Sequence, residues 1–357
     1  DLEPEREKAL NLALNRIQGD WDEGKLAELL ADLDASAFDV SFTGFDAEEV
    51  DALMNKFYSA EASEDAFDRE KAEADIQAAG GAVTKSGDLW QLGDHRLLCG
   101  SGGSADDMER LMAGKIAACA VTTPPPVSLA EYKKDGIDPW LSRMREAIEL
   151  LCRYAGIVCW NVDDLFSTGS QYMEPVAFHC MRLFADCNFR PLWIRVWKKQ
   201  GILARAGSAH LSSAKPQKQF EYLTAFGAQE EEIIEQEYSW VSGFAAHSYR
   251  FVKRLTKEER RKWGYAGVWE IASMPVKEKD LPPVPVELPW RCMKMHSDPG
   301  GIVLDPFAGG GTTLIAAEQS GRRCFCMEND PLHCDLIVMR WEQFTGEKAV
   351  RLDGSAS

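Results

Sequence analysis

The run GIVLDPFAGGGTTLIAAEQSGRRCFCMEND, Gly301–Asp330, decides the fold. It opens with an apolar strand, Ile302–Leu304, that ends in Asp305. A glycine-rich turn, Ala308–Gly311, leads into a helix with a glycine stop at Gly321. A second strand then ends in Glu328. Strand, glycine turn, helix, strand and terminal acid is the layout of a nucleoside-binding α/β unit. The glycines let the backbone approach a ligand closely, and the acid can accept both hydroxyls of a ribose. The turn lacks the Gly-Lys-Ser/Thr of a phosphate loop.

The same texture extends back to Asp88. DLWQLGDHRLLCG, 88–100, reads as a hairpin. IAACAVTT, 116–123, and AGIVCWN, 155–161, read as buried strands. DPWLSRMREAIELLCRYA, 138–155, is an amphipathic helix, with Asp138 at the cap and Pro139 at the first position. RPLWIRVWKK, 190–199, and FEYLTAFG, 220–227, read as strands, and PVELPWRCMKMHS, 285–297, as a helix. Strands alternating with helices predict a mostly parallel sheet covered on both faces.

Residues 1–60 differ. They read as two or three short helices, with Leu26, Leu29, Leu30 and Leu33 on one face of the second. Residues 61–87 are small, charged and glycine-containing, which reads as a linker, in part helical. The chain begins at Asp1 without a Met, as a trimmed chain or fragment would, and its acidic start has no signal-peptide pattern. The net charge of −17 is uneven. Residues 1–80 hold 22 acidic against 7 basic residues, whereas Trp193–Trp263 holds 13 basic against 8 acidic. Phosphate contact needs such a local basic surface, not a basic whole. No apolar run is long enough for a membrane span. Ten cysteines form no CxxC pair, which predicts neither a zinc site nor a disulfide framework.

LDPFAGGGTT, 304–313, resembles the S-adenosyl-L-methionine (AdoMet) motif of DNA amino-methyltransferases, which methylate adenine N6 or cytosine N4. LPPVPVELPWRCMKMHSDPG, 281–300, resembles the family's helix against AdoMet, with Pro285, Val286, Glu287 and Leu288 in place and Asp280 where His is usual. MENDPLHCDLIVMRWEQFTG, 327–346, resembles its C-terminal helix. With the cofactor motif late in the chain, the order is the permuted, beta-type one. The resemblance covers roughly residues 88–350. Residues 1–60 resemble the tail that follows a ParB-like domain in phage-type methyltransferases.

The family's catalytic loop is Asp/Asn/Ser-Pro-Pro-aromatic after a strand. AACAVTTPPPVSL, 117–129, puts Thr123, Pro124, Pro125 and Pro126 there. An exocyclic amino nitrogen is a poor nucleophile because its lone pair is delocalised into the ring. A side-chain oxygen and the first proline's carbonyl accept its two N–H bonds, and the aromatic stacks on the flipped base. Thr123 keeps the oxygen and, like the Ser of cytosine-N4 enzymes, tilts the reading toward cytosine. Pro126 has no stacking ring; Tyr132, Trp160 or Trp197 are alternatives for it. LWQLGDHRLLCGSGG, 89–103, resembles a family segment ending Cys-Gly-Asp, with Ser101 in place of the Asp that meets the adenine. LWIRVWKK to EYLTAFGA, 192–228, resembles the strands flanking the recognition insertion, with Phe220 in the His place of a His-Glu-Tyr-like pattern.

The resemblance implies a seven-stranded, mostly parallel Rossmann-like methyltransferase sheet with helices on both faces, over 88–357, with an insertion at about 200–265. It implies AdoMet at Ser101, Pro285, Glu287, Asp305, Phe307, Gly309, Gly311, Thr312, Thr313 and Glu328. It implies double-stranded DNA at Lys198, Lys199, Arg205, Lys215, Lys253, Arg254, Arg260 and Arg261. No metal and no membrane are implied; the setting is the cytoplasm of a bacterial or phage-infected cell, within restriction-modification, and a homodimer is compatible. Ser101 and Pro126 leave other readings open: a weakened or inactive AdoMet- or DNA-binding protein, or a transferase of another group or of RNA.

Overall fold

The computed structural model describes residues 62–166, 173–200, 220–228, 259–272 and 284–352, with isolated positions elsewhere. The short helices expected in residues 1–60 and most of the insertion lie outside the described residues.

One ten-stranded sheet organises the chain. Its elements in chain order are β1 (Leu89–Leu92), β2 (His95–Cys99), β3 (Cys119–Thr122), β4 (Ile157–Val162), a small pair β5 (Leu165–Phe166) and β6 (Met173–Glu174) outside that sheet, β7 (Phe189–Gln200), β8 (Phe220–Ala228), β9 (Val268–Ala272), β10 (Ile302–Asp305), β11 (Arg323–Glu328) and β12 (Val350–Arg351). Its spatial order is β12-β1-β2-β11-β10-β3-β4-β8-β7-β9. The five strands from β2 to β4 are mutually parallel. β8 runs antiparallel to both β4 and β7.

The expected seven strands are the inner seven, β2 to β7 in spatial order. Three more extend the sheet: β1, one arm of the hairpin read at 88–100, with β9 and β12. β1 pairs antiparallel with β2 through the turn at Gly93, which takes φ +55. β12 extends that edge, and β9 covers the other edge, parallel to β7. Each added strand satisfies backbone groups that a bare edge would leave open.

The α-helices among the described residues are α1 (Arg69–Ala78), α2 (Ala105–Met112), α3 (Leu129–Asp135), α4 (Asp138–Tyr154), α5 (Val176–Asp186), α6 (Glu287–His296), α7 (Thr312–Gln319) and α8 (Pro331–Thr345). Side chains alternate across each strand, so the sheet has two cores. Cys119, Val121 and Cys159 meet α6, α7 and α8 on one face. Ala120, Val158 and Trp160 meet α2, α4 and α5 on the other. α4 buries Trp140, Met144, Ala147, Ile148 and Leu151 at helical spacing. Its cap is Ile137, so Asp138 and Pro139 fall one place later than the sequence suggests. Segment 61–87, read as a linker, carries α1, whose Ala72 and Ile76 pack on Leu336 of α8. No helix among the described residues is long and apolar enough to cross a membrane.

A buried ion pair fastens the stretch before β9 to the body. Lys294 Nζ of α6 donates to Glu259 Oε1, and both side chains are nearly inaccessible. Burial pulls the Lys294 ammonium below its ordinary pKa, against the pull of Glu259. Removing one member of such a pair strands a charge. Lys294→Met is expected to cost about 3–5 kcal/mol in urea denaturation, whereas Lys294→Met with Glu259→Leu costs less. Equal losses would mean that the pair is not the stabilising unit.

Candidate active site

The carboxyl ends of β2, β11, β10, β3 and β4 lie along one edge of the sheet, where open α/β folds bind ligands. β10 delivers the glycine turn there. Gly309 and Gly311 take φ +54 and +76, a region that favours glycine, and a Cβ on Gly311 would meet Ile337 at 3.1 Å. The Gly309 N–H donates to Glu328 Oε2 at 2.9 Å. The other carboxylate oxygen accepts from the Asn329 and Asp330 N–H groups at 2.9 and 3.0 Å. Three backbone donors thus aim Glu328 and leave part of its acceptor capacity for a ligand.

Asp305 ends β10 and is buried. Thr122 Oγ1, at the end of β3, donates to its Oδ1 at 2.6 Å, and the Phe307 N–H donates to the same oxygen at 3.1 Å. Burial raises the carboxyl to about 6, against hydrogen bonds from Thr122, Thr313 and Phe307, with Glu328 adding a smaller upward push. One hydrogen bond therefore ties the residue preceding Thr123 to the glycine turn.

The loop Gly100–Gly103 closes the turn's other side. A Cβ on Gly102 would lie 2.7 Å from the Pro306 carbonyl oxygen, so only glycine fits that contact. Ser101 is exposed, and its N–H donates to Asp107 Oδ2 at 3.0 Å. An acidic side chain thus does stand beside this loop, although it comes from α2.

The proline loop follows β3. Trp140 Nε1 donates to the Pro125 carbonyl at 2.9 Å, which fastens the loop to α4. Thr123 Oγ1 accepts from Asn161 Nδ2 at 3.4 Å. That nitrogen also donates to Glu221 Oε2 at 2.6 Å, and Lys199 Nζ pairs with Glu221 Oε1 at 2.5 Å. Asn161 Oδ1 is buried with no hydrogen-bond partner among the described residues. Pro126 is exposed. Trp160 and Trp197 are core residues at 1% exposure, and Tyr132 is half-buried with its hydroxyl donating to Glu174 at 2.7 Å.

Asp305, Phe307, Gly309 and Glu328 are brought together with Ser101's loop and Thr123. Thr313 joins through Asp305. Thr312 Oγ1 accepts from Arg340 at 3.2 Å. Pro285 is buried ahead of α6, and Glu287 pairs with Arg291 along that helix. Of the basic candidates, Lys198 is half-exposed and paired with Glu270, and Arg261 is exposed. Arg260 donates to the Leu255 carbonyl. Lys199 is buried and paired with Glu221, so its charge is spent inside the fold instead of on a phosphate-facing surface. Arg205, Lys215, Lys253 and Arg254 lie outside the described residues.

Sequence reasoning missed Asp107, Trp140, Asn161 and Arg340. Asp107 meets Ser101 only six residues away, whereas Trp140, Asn161 and Arg340 reach partners 15 or more residues away, and only the helix start Asp138-Pro139-Trp140 offered a local signal. Glu221 was visible only as the centre of its His-Glu-Tyr-like pattern.

The fold and site define an α/β transferase with paired motifs at one sheet edge. The DNA methylase family of N6 and N4 enzymes matches residues 117–339, more than half of the chain, and the chain belongs to it. The ParB-methyltransferase HTH domain matches residues 24–86, which takes in the segment read as a linker. Type II methyltransferase M.BglI of Bacillus subtilis is 29% identical over 42% of this chain and 38% of its own. Type II methyltransferase M.MjaI of Methanocaldococcus jannaschii is 39% identical over 23% and 28%. The chain thus spans well under two thirds of the length of these curated relatives. The structure of a DNA modification methylase from Thermus thermophilus, complexed with S-adenosyl-L-methionine, shares the fold at TM-score 0.54 and 23% identity, covering 74% of this chain and all of that one.

The raised Asp305 carboxyl makes stability depend on pH. A folded-state value above the unfolded one gives stability that is present below the unfolded pKa and lost as pH rises through about 6. A rise from 3.8 to about 6 corresponds to about 3 kcal/mol. Chemical denaturation of wild type and Asp305→Asn should show wild type losing that much relative to the variant from about pH 4 to about pH 8. A constant difference would mean that Asp305 is ionised throughout.

Proposed function

We propose that this protein is an AdoMet-dependent DNA amino-methyltransferase acting on cytosine N4 or adenine N6. The observation that carries the reading is the Thr122–Asp305 hydrogen bond, because it joins the proline loop to the glycine turn across adjacent parallel strands. The names of the Type II methyltransferase relatives support it.

The residues fit the cofactor. A Cβ on Gly309 or Gly310 would meet nothing closer than 3.8 Å, so the backbone there is open to close approach. Glu328 would hold the ribose hydroxyls, and the turn with Asp305 the amino-acid end. AdoMet, when bound, supplies an electrophilic methyl on a sulfonium. Thr123 Oγ1 and the Pro124 carbonyl accept the two N–H bonds of the target amino group, drawing its nitrogen toward tetrahedral geometry. The prolines keep the loop stiff and add no competing donors. The amino nitrogen would gain the methyl as the sulfonium's carbon–sulfur bond breaks to leave a neutral thioether, and would release one proton to water, with no covalent enzyme intermediate. Double-stranded DNA is the partner, with the base flipped out of the stack.

Incubation with tritiated AdoMet and DNA, then mass spectrometry of the digested product, tests the reading. Methylated cytosine or adenine is the expected product, and Glu328→Ala is expected to weaken AdoMet binding by roughly 1–3 kcal/mol. AdoMet binding without transfer would favour the non-catalytic reading that the exposed Pro126 raises, and label in RNA alone would remove DNA as substrate.

The proline loop gives a second test. A base–aromatic stack is worth about 1–3 kcal/mol. Pro126→Tyr is therefore expected to speed single-turnover transfer by roughly one to two decades. A variant that abolishes robust wild-type transfer would make Pro126 a fitted part of the base pocket.

A further inference from the structure

The segment that leads into the methyltransferase body is anchored around the glycine turn. The Ser63 N–H donates to Gln319 Oε1 at 3.0 Å, and Gln319 Nε2 returns a bond to the Ser63 carbonyl at 2.7 Å, at the end of α7. Glu64 Oε1 accepts from the Val286 N–H at 2.7 Å, at the start of α6. Asp65 Oδ2 accepts from Arg340 Nε and Nη2 of α8 at 2.9 and 2.6 Å. The pair is largely buried, with side-chain exposures of 13% for Arg340 and 8% for Asp65.

Arg340 has a second set of partners. Its Nη1 donates to the Gly310 carbonyl at 2.7 Å and to Thr312 Oγ1 at 3.2 Å. A guanidinium is planar, so the atoms that face Asp65 fix the direction of the one that faces the turn. Gly309 and Gly311 have no side chains to hold their shape. The Gly309 N–H is held by Glu328 and the Gly310 carbonyl by Arg340, beside backbone bonds from the Ala308 N–H to Met327 and from the Gly311 N–H to Ala308. The order is therefore Asp65, Arg340, Gly310, and Asp65 belongs to the stretch that matches the ParB-methyltransferase HTH domain.

We propose that Arg340, oriented by Asp65, is a positioning residue for the cofactor, so that docking of the N-terminal segment and AdoMet affinity are coupled. This rests on the AdoMet reading of the turn. Coupling is reciprocal: AdoMet must also tighten the docked segment. Loss of the N-terminal segment from its seat releases Arg340, and the turn then relaxes from its ligand-receiving shape.

Calorimetry of AdoMet binding to the full chain tests this, with thermal melting in parallel. Asp65→Asn and Arg340→Lys are each expected to raise Kd roughly 5- to 20-fold, within the range of ordinary coupling. The double variant is expected to be no worse than the weaker single, because one linkage is lost once. Asp65→Glu, which keeps the charge, is expected to recover most of the affinity. In the wild type, AdoMet is expected to slow amide exchange over residues 63–78. Folded Asp65→Asn protein with unchanged Kd and only a lower melting temperature would make the contact a plain structural strap and overturn the proposal. Should the substitutions prevent folding, unchanged exchange over 63–78 in AdoMet-saturated wild type would overturn it equally. Wild type that binds no AdoMet at all would overturn the functional reading itself, a result distinct from binding that ignores Asp65.

Discussion

The hydrogen bond from Thr122 to Asp305 is the constraint on which the site depends. β3 and β10 are far apart in sequence and become neighbours only because the parallel sheet closes between them. Thr122 ends one strand and Asp305 the other, so their bond fixes the distance between the two loops that leave the sheet. The bond lies in a water-poor place, which strengthens it and keeps the carboxyl protonated to higher pH than usual. Shifting either strand by one residue would turn the partner side chain to the opposite face and separate the loops.

Charge distribution follows the same logic of local placement. The N-terminal acidity is not all solvated surface. Glu64 meets a backbone N–H, and Asp65 meets the largely buried Arg340. Asp335 of α8 accepts from the Val83 and Thr84 N–H groups and from the Thr84 hydroxyl. The stretch 62–84 is thereby pinned to α8 at both ends of α1. A composition of small and charged residues reads as a tether because composition does not record that its charges have partners more than 200 residues away.

The central parallel strands were legible because both faces are covered and each strand is a short, nearly continuous apolar run. The glycine turn and Glu328 were legible because their chemistry sits in one contiguous unit. α2, α3 and α5 carry no recognisable motif and lie between segments that do. β12 has two residues and only exists against β1. The supports of the site were the least legible part. Trp140 reaches Pro125 from α4, and Asn161 reaches Thr123 from β4. Such contacts are set by strand order, which no local spacing encodes. Lys199 illustrates the converse: a basic residue in a basic region reads as a phosphate contact until burial assigns its charge to Glu221.

The Lys199–Glu221 pair also reaches the neutral Thr123, which stands where the family loop carries Asp, Asn or Ser. A hydroxyl has two lone pairs and one proton, and its usefulness as an acceptor depends on which way it is turned. Asn161 Nδ2 engages one lone pair of the Thr123 hydroxyl. The amide could flip were it free, but its nitrogen faces a Glu221 oxygen, and a flipped amide would set oxygen against oxygen. Lys199 holds Glu221 in place. Neutral Thr123 thus receives its orientation from a buried charge pair two contacts away. The proline loop, β7 and β8 are therefore one mechanical unit, since β7 supplies Lys199 and β8 supplies Glu221.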